Sequence, residues 1–74
     1  MLIIHAEAVA GQTIEECVWD CIVLSKRTGC MIEIDINDIP MIISDSKLYG
    51  NTEEERVKTF VKQYNDRFKE KELA

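Results

Sequence analysis

Hydrophobic and polar residues alternate in three short stretches of the chain, and a period of two is typical of β-strands. Residues 2–10 are predicted to form a strand with one apolar face and one mixed face. Residues 30–44 contain two further runs separated by Asn37-Asp38, which favours a turn, so they are predicted to form a β-hairpin. The first run of the hairpin places Cys30 and three isoleucines on one face, opposite Met31, Glu33 and Asp35.

Two other stretches repeat their apolar residues every three to four positions, as one face of an α-helix does. The first, residues 13–28, begins at a capping box formed by Thr13 and Glu16 and ends before Gly29, a favourable left-handed terminator. The second, residues 52–69, begins at another capping box, and the tail beyond it is expected to fray. The chain therefore contains two amphipathic helices.

These elements predict an α+β fold with the order β-α-β-β-α, formed by residues 1–74 as a single domain. The economical packing is a three-stranded sheet with two helices packed on one face, because each helix has one apolar stripe and each strand one apolar face. A right-handed crossover makes the first two strands parallel. The pattern leaves the order of the strands open.

The acidic charge of the chain is unevenly distributed. The formal net charge is −5, and residues 1–45 hold eight acidic residues against two basic ones, whereas residues 46–74 are close to neutral. No broad basic surface is expected, so direct nucleic-acid binding is disfavoured. No apolar run approaches the ~20 residues that span a bilayer, so no membrane association is expected.

The cysteines indicate a reducing compartment. Their number, three, is odd, and Cys17 and Cys21 lie four residues apart on the predicted first helix, too far apart for a disulfide. The N-terminus also lacks the features of a signal peptide. We therefore expect reduced, mostly buried thiols and a cytoplasmic protein.

Catalysis is not expected. The glycines stand alone, so no phosphate-binding loop is present, and no nucleophile lies next to a base. One imidazole and three carboxylates, of His5, Glu7, Glu33 and Asp35, would meet on the outer sheet face if the first two strands are neighbours. Such a set suits several divalent metals, but a solvated sheet face needs polar residues anyway. We predict no enzyme and no cofactor.

The outer sheet face is also predicted to carry the apolar side chains of Ile3, Met31, Met41 and Ile43, and an exposed apolar patch indicates an interface. Trp19, at the margin of the first helix's apolar stripe, either covers the edge of the core or is an exposed anchor. Open sheet edges and this mixed face also favour a homodimer. The candidate interaction residues are Glu7, Trp19, Met31, Glu33, Asp35, Asp38, Met41, Ile43 and Tyr49.

Part of the chain resembles known proteins. Residues 30–69 are similar to short proteins of prophages of Gram-positive bacteria. Within them, Ile34-Asp35-Ile36-Asn37-Asp38, then Met41-Ile42-Ile43-Ser44 and an acidic helix start, resemble the hairpin-to-helix part of small acidic anti-CRISPR inhibitors of Cas9. The resemblance implies an inhibitor that imitates DNA on a basic surface. This chain departs from the pattern, because a strand precedes its first helix and its second helix is not strongly acidic.

The sequence thus predicts a small acidic protein–protein interaction module, an accessory or inhibitor protein of a phage or mobile element, that binds a basic partner surface. Two alternatives stay open. One is a structural homo-oligomer with no separate partner, and the other is a metal-binding protein that uses the outer sheet face.

Overall fold

A computed structural model describes residues 2–73 and has the element order β-α-β-β-α, an α+β fold as predicted. The elements are β1 (Ile3–Glu7), α1 (Ile14–Thr28), β2 (Met31–Ile36), β3 (Ile39–Ile43) and α2 (Glu53–Leu73), with a 3-10 turn at Lys47–Tyr49 before α2. The three strands lie in the order β1-β2-β3. β1 is parallel to β2, and β3 is antiparallel to β2.

The first strand is shorter than predicted because a turn begins at Val9. The Val9 amide donates to Oε1 of Gln12 at 3.2 Å, and the Gln12 amide donates to the Val9 carbonyl, also at 3.2 Å. This reciprocal pair closes a turn over Ala10 and Gly11, and the φ of Gly11, 92°, is in the left-handed region. β1 therefore ends at Glu7 instead of reaching residue 10.

The ends of α1 follow the predicted capping. The Glu16 amide donates to Oγ1 of Thr13 at 3.1 Å, and Gly29 adopts a φ of 70° while its amide donates to the Ser25 carbonyl. Between these caps, Cys17, Val18, Cys21 and Ile22 are buried on one side of the helix.

The turn of the hairpin decides which β3 residues face the core. Asn37 and Asp38 have φ values of 50° and 64°, the pattern of a two-residue type I′ turn. Such a turn places Ile36 opposite Ile39, so both point to the same side of the sheet.

Counting from Ile39, Met41 and Ile43 also point inwards, and both are fully buried. The prediction that they lie on the outer sheet face is therefore wrong. Pro40 and Ile42 occupy the outer positions of β3 instead. The error arose because the strand was predicted to begin at Pro40, one residue later than Ile39, and a shift of one residue exchanges the two faces of a strand.

Both helices pack on the inner face of the sheet, as predicted, and the salt bridge between Lys26 and Glu53 joins the end of α1 to the start of α2. The core contains residues of both helices and of β2 and β3: Cys17, Val18, Cys21, Ile22, Ile32, Ile34, Ile36, Ile39, Met41, Ile43, Val57, Phe60 and Tyr64. From β1, Ile4 and Ala6 are only partly buried against this core. In residues 2–73, neither helix is long and apolar enough to cross a membrane.

The second helix continues to Leu73, past its predicted end at residue 69. Its C-terminal half lies against the hairpin: Arg67 donates from Nη1 to the Pro40 carbonyl at 2.6 Å, and Lys71 Nζ lies 3.4 Å from the Asn37 carbonyl. These tertiary contacts hold turns of helix that local sequence alone would leave frayed.

Candidate functional site

The outer face of the sheet combines acidic and apolar side chains. Alternation along the strands places eight residues there: Ile3, His5, Glu7, Met31, Glu33, Asp35, Pro40 and Ile42. We call this set the outer sheet face. The exposed fractions of Ile3 and Ile42 are 47% and 49%, high values for large aliphatic side chains. A face of this composition is typical of a contact surface.

The strand register arranges these residues by chemical type. Ile3 pairs with Met31 at one end, and Ile42 lies diagonally beside Met31 on β3. At the other end Glu7 pairs with Asp35. The outer sheet face therefore has an apolar end and an acidic end.

The acidic end carries uncompensated charge. Glu7 and Asp35 are direct neighbours across the β1–β2 pair, a placement in which like charges destabilise a sheet. None of the residues in the three strands is lysine or arginine. Within the described residues, the ion pairs do not include Glu7 or Asp35.

His5 and Glu33 lie side by side in the next row of the outer sheet face, with 3.5 Å between Nδ1 and Oε1. Together with Glu7 and Asp35 they share one face, as the sequence suggested. In residues 2–73, however, no three histidine, cysteine or carboxylate side chains are grouped closely enough to hold a metal ion. The geometry therefore lends no support to a metal centre at these residues.

The other predicted interaction residues lie elsewhere. Asp38, in the hairpin turn, is almost fully exposed beyond the acidic end, 4.0 Å from Lys71 Nζ. Tyr49 is partly buried, and its ring centroid lies 4.6 Å from that of Phe60. The predicted residues thus do not form one continuous surface.

Trp19 borders a different surface, a concave groove between the two helices. This groove has a volume of about 580 Å³ and is lined by Trp19, Val57 and Val61, with Glu15 and Lys62 among the residues at its rim. Trp19 is 41% exposed and lies on the helical layer, away from the outer sheet face. One flat partner could not contact both surfaces. The position of Trp19 beside the apolar stripe of α1 was the only sequence signal for this groove.

The cysteines are free thiols. Burial raises the pKa of the Cys21 thiol from 9.0 to about 11, and the neighbouring Cys17 and Asp20 add to the shift. Burial, followed by the carboxylates of Asp20 and Glu16, also raises the pKa of the Cys17 thiol. Both thiols therefore stay protonated at neutral pH, where a protonated thiol is a poor nucleophile.

Sequence reasoning missed Pro40 and Ile42 as members of the outer sheet face. The signal that reveals them is the two-residue turn at Asn37-Asp38, because it fixes the alternation of β3.

Comparison of the chain with protein-family models, characterised proteins and solved structures gave no match. The functional interpretation consequently depends on the geometry of the outer sheet face.

Proposed function

We propose that the protein is a protein–protein interaction module whose outer sheet face binds a basic partner segment. The observation that carries the proposal is the pairing of Glu7 with Asp35 on a sheet face without lysine or arginine. Such a pair costs stability in the free protein. A cationic partner relieves that cost, so binding and stabilisation are coupled.

The apolar end of the outer sheet face supports the same proposal. Ile3, Met31 and Ile42 form an exposed or partly exposed cluster next to the carboxylates. Apolar contacts contribute affinity, while the carboxylates contribute orientation and a faster encounter. The partner segment should therefore carry both aliphatic and cationic side chains.

A finer proposal concerns the biological role. The resemblance of the hairpin-to-helix region to acidic anti-CRISPR inhibitors supports an accessory or inhibitor protein of a phage or mobile element. Inhibition by DNA imitation would require the acidic end to occupy a basic nucleic-acid groove. A Cas9 cleavage assay tests this role: inhibition that disappears in the Glu7→Gln/Asp35→Asn variant supports it, and full cleavage in the presence of the wild-type protein excludes that target.

The binding proposal is tested with a short fluorescent peptide of alternating lysine and valine. Anisotropy should show binding that weakens as salt is added, because the contact is partly electrostatic. Amide chemical shifts should change along β1, β2 and β3. Shifts confined to α1 and α2 would instead assign binding to the groove beside Trp19.

The matched variants are Glu7→Gln/Asp35→Asn and Glu15→Gln/Asp66→Asn. Each removes one glutamate and one aspartate charge, but Glu15 and Asp66 are exposed on the helical layer. We expect the sheet variant to bind the peptide about tenfold more weakly, and the helix variant to bind almost as the wild type does. Equal loss in both variants would show that net charge alone attracts the peptide, and the proposal would then be wrong.

A further inference from the structure

The two edges of the sheet differ in how well they are protected against pairing with another strand. At the β3 edge, Pro40 lacks an amide hydrogen, and its carbonyl accepts a hydrogen bond from Arg67 of α2 at 2.6 Å. Proline and a covering helix are both common ways to block an edge strand. The β1 edge has neither: residues 2–10 contain no proline, lysine or arginine.

The free backbone groups of β1 belong to alternate residues. The Met31 amide donates to the Leu2 carbonyl at 3.1 Å, so Leu2 directs its backbone towards β2, and Ile4 and Ala6 follow by alternation. The amides and carbonyls of Ile3, His5 and Glu7 accordingly point out from the edge. This row of free backbone groups ends at Val9, because the Val9 amide donates to Oε1 of Gln12.

We propose that a second copy of this chain pairs with β1 across this edge, antiparallel and centred on His5. His5 then lies opposite His5 of the second copy, and Ile3 lies opposite Glu7 of the second copy. These are the residues with free backbone groups, so the pairing forms about six hydrogen bonds without a register shift. A twofold axis through the His5 pair closes the assembly as a dimer.

The side chains of β1 complement themselves in this register. On the inner face, Leu2 lies opposite Ala8 of the second copy and Ile4 opposite Ala6 of the second copy, so each large residue meets a small one. Glu7 meets an isoleucine instead of another carboxylate. An occupant with the same sequence therefore fits the edge in both size and charge.

The helical layer leaves room for this partner. Both helices pack against β2 and β3, and Ile4 and Ala6 remain only partly buried. Leu2 is 76% exposed, and a shallow groove of about 160 Å³ along β1 is bordered by Leu24 and Cys21 of α1. The second copy covers these apolar atoms.

The proposed dimer enlarges the outer sheet face. Its formation does not depend on the binding function proposed for that face. Antiparallel pairing joins two sheets into one, and the twofold axis leaves both outer sheet faces on the same side. A partner with repeated basic segments then meets two acidic ends at once, which raises its apparent affinity. Peptide binding by a monomer would still be possible if the dimer did not exist.

Sedimentation velocity across a range of concentrations and amide hydrogen exchange test the proposal together. We expect a monomer–dimer equilibrium, with exchange at Ile3, His5 and Glu7 slowing as the dimer forms. A monomer at all accessible concentrations would overturn the proposal. A dimer in which those three amides stay unprotected would also overturn it, because the contact would then lie on another surface.

Two pairs of variants separate edge pairing from other effects. His5→Pro removes an amide that the monomer does not use, whereas His5→Ala changes the side chain and keeps that amide. Leu2→Lys places a charge in the dimer contact, whereas Leu48→Lys makes the same change at a residue that is 90% exposed in the 3-10 turn. We expect His5→Pro and Leu2→Lys to weaken dimerisation about tenfold or more, and the two controls to have little effect.

Circular dichroism of the variants shows whether each is folded. If His5→Pro unfolds the chain, the Leu2→Lys comparison decides by itself, because Leu2 makes little contact within the monomer. Equal dimerisation by the Leu2→Lys variant and the wild type would contradict the proposed register.

Discussion

Arg56 of α2 donates to Asp45 in the loop after β3, with 2.6 Å between Nη1 and Oδ1, and both side chains are largely buried. The same arginine donates from Nε to the Gly50 carbonyl at 3.0 Å. The Asp45 amide donates to Oγ of Ser25 at 2.9 Å, which connects this loop to α1. One charged pair thus fixes the loop that joins the sheet to the second helix.

Arg56→Met should lower the free energy of unfolding by about 2–4 kcal/mol, because it leaves the Asp45 carboxylate largely buried without its partner. Urea denaturation measures the change. Lys26→Met is the control, since Lys26 pairs with Glu53 at the exposed surface, where a salt bridge contributes at most about 1 kcal/mol. Equal losses in the two variants would show that burial does not distinguish these ion pairs.

Asp35→Asn should raise the free energy of unfolding by about 0.2–1 kcal/mol, because it removes the repulsion between Glu7 and Asp35. Urea denaturation at low and at high salt should show that the gain shrinks as salt screens the charges. Asp66→Asn, on the exposed side of α2, serves as the control for the loss of one negative charge. A destabilised Asp35→Asn variant would contradict the proposed strain on the outer sheet face.

High pH should destabilise the protein through Cys21. The folded state holds the thiol proton more tightly than the unfolded state does, because burial raises the pKa from 9.0 to about 11. The resulting contribution, about 2–3 kcal/mol, is fully present below pH 9 and is lost as the pH rises through the folded pKa. Urea denaturation across this range measures the loss.

Cys21→Val is the matched variant for that measurement, because valine fills a similar volume without an ionisable group. Its free energy of unfolding should fall less steeply above pH 9 than that of the wild type. Parallel curves for the two proteins would show that other groups, such as lysines and tyrosines, cause the alkaline loss.

Asp38→Gly should stabilise the hairpin by about 0.5–1 kcal/mol, since Asp38 has a φ of 64° and glycine reaches that region without strain. Asn37→Gly is the comparison. It relieves a similar backbone conformation but removes the hydrogen bond from Asn37 Nδ2 to Tyr64 Oη at 2.9 Å. Thermal unfolding should rank Asp38→Gly above Asn37→Gly, and the reverse order would contradict the role of that hydrogen bond.

Most of the secondary structure follows from local sequence. The capping box at Thr13, the terminator at Gly29 and the apolar spacing between them predict α1 almost to the residue. The alternation in β2 likewise predicts its buried isoleucines. These signals are local because helix caps and side-chain periods involve residues only a few positions apart.

Part of the candidate site also follows from sequence. Glu7, Met31, Glu33 and Asp35 were expected on the outer sheet face, and they lie there. Met41 and Ile43 were not predicted correctly, because one residue of difference in the start of β3 exchanges its two faces. The groove beside Trp19 was missed, since it exists only where two helices distant in sequence pack together.

The sequence by itself determined the types and order of the elements, the capping of the first helix and the concentration of acidic charge in residues 1–45. Only the tertiary structure decided that Glu7 and Asp35 are neighbours, that the β3 edge is covered by Arg67 and that the β1 edge is open. The reason is physical: capping and periodicity depend on neighbours along the chain, whereas strand order and edge protection depend on which distant segments pack together.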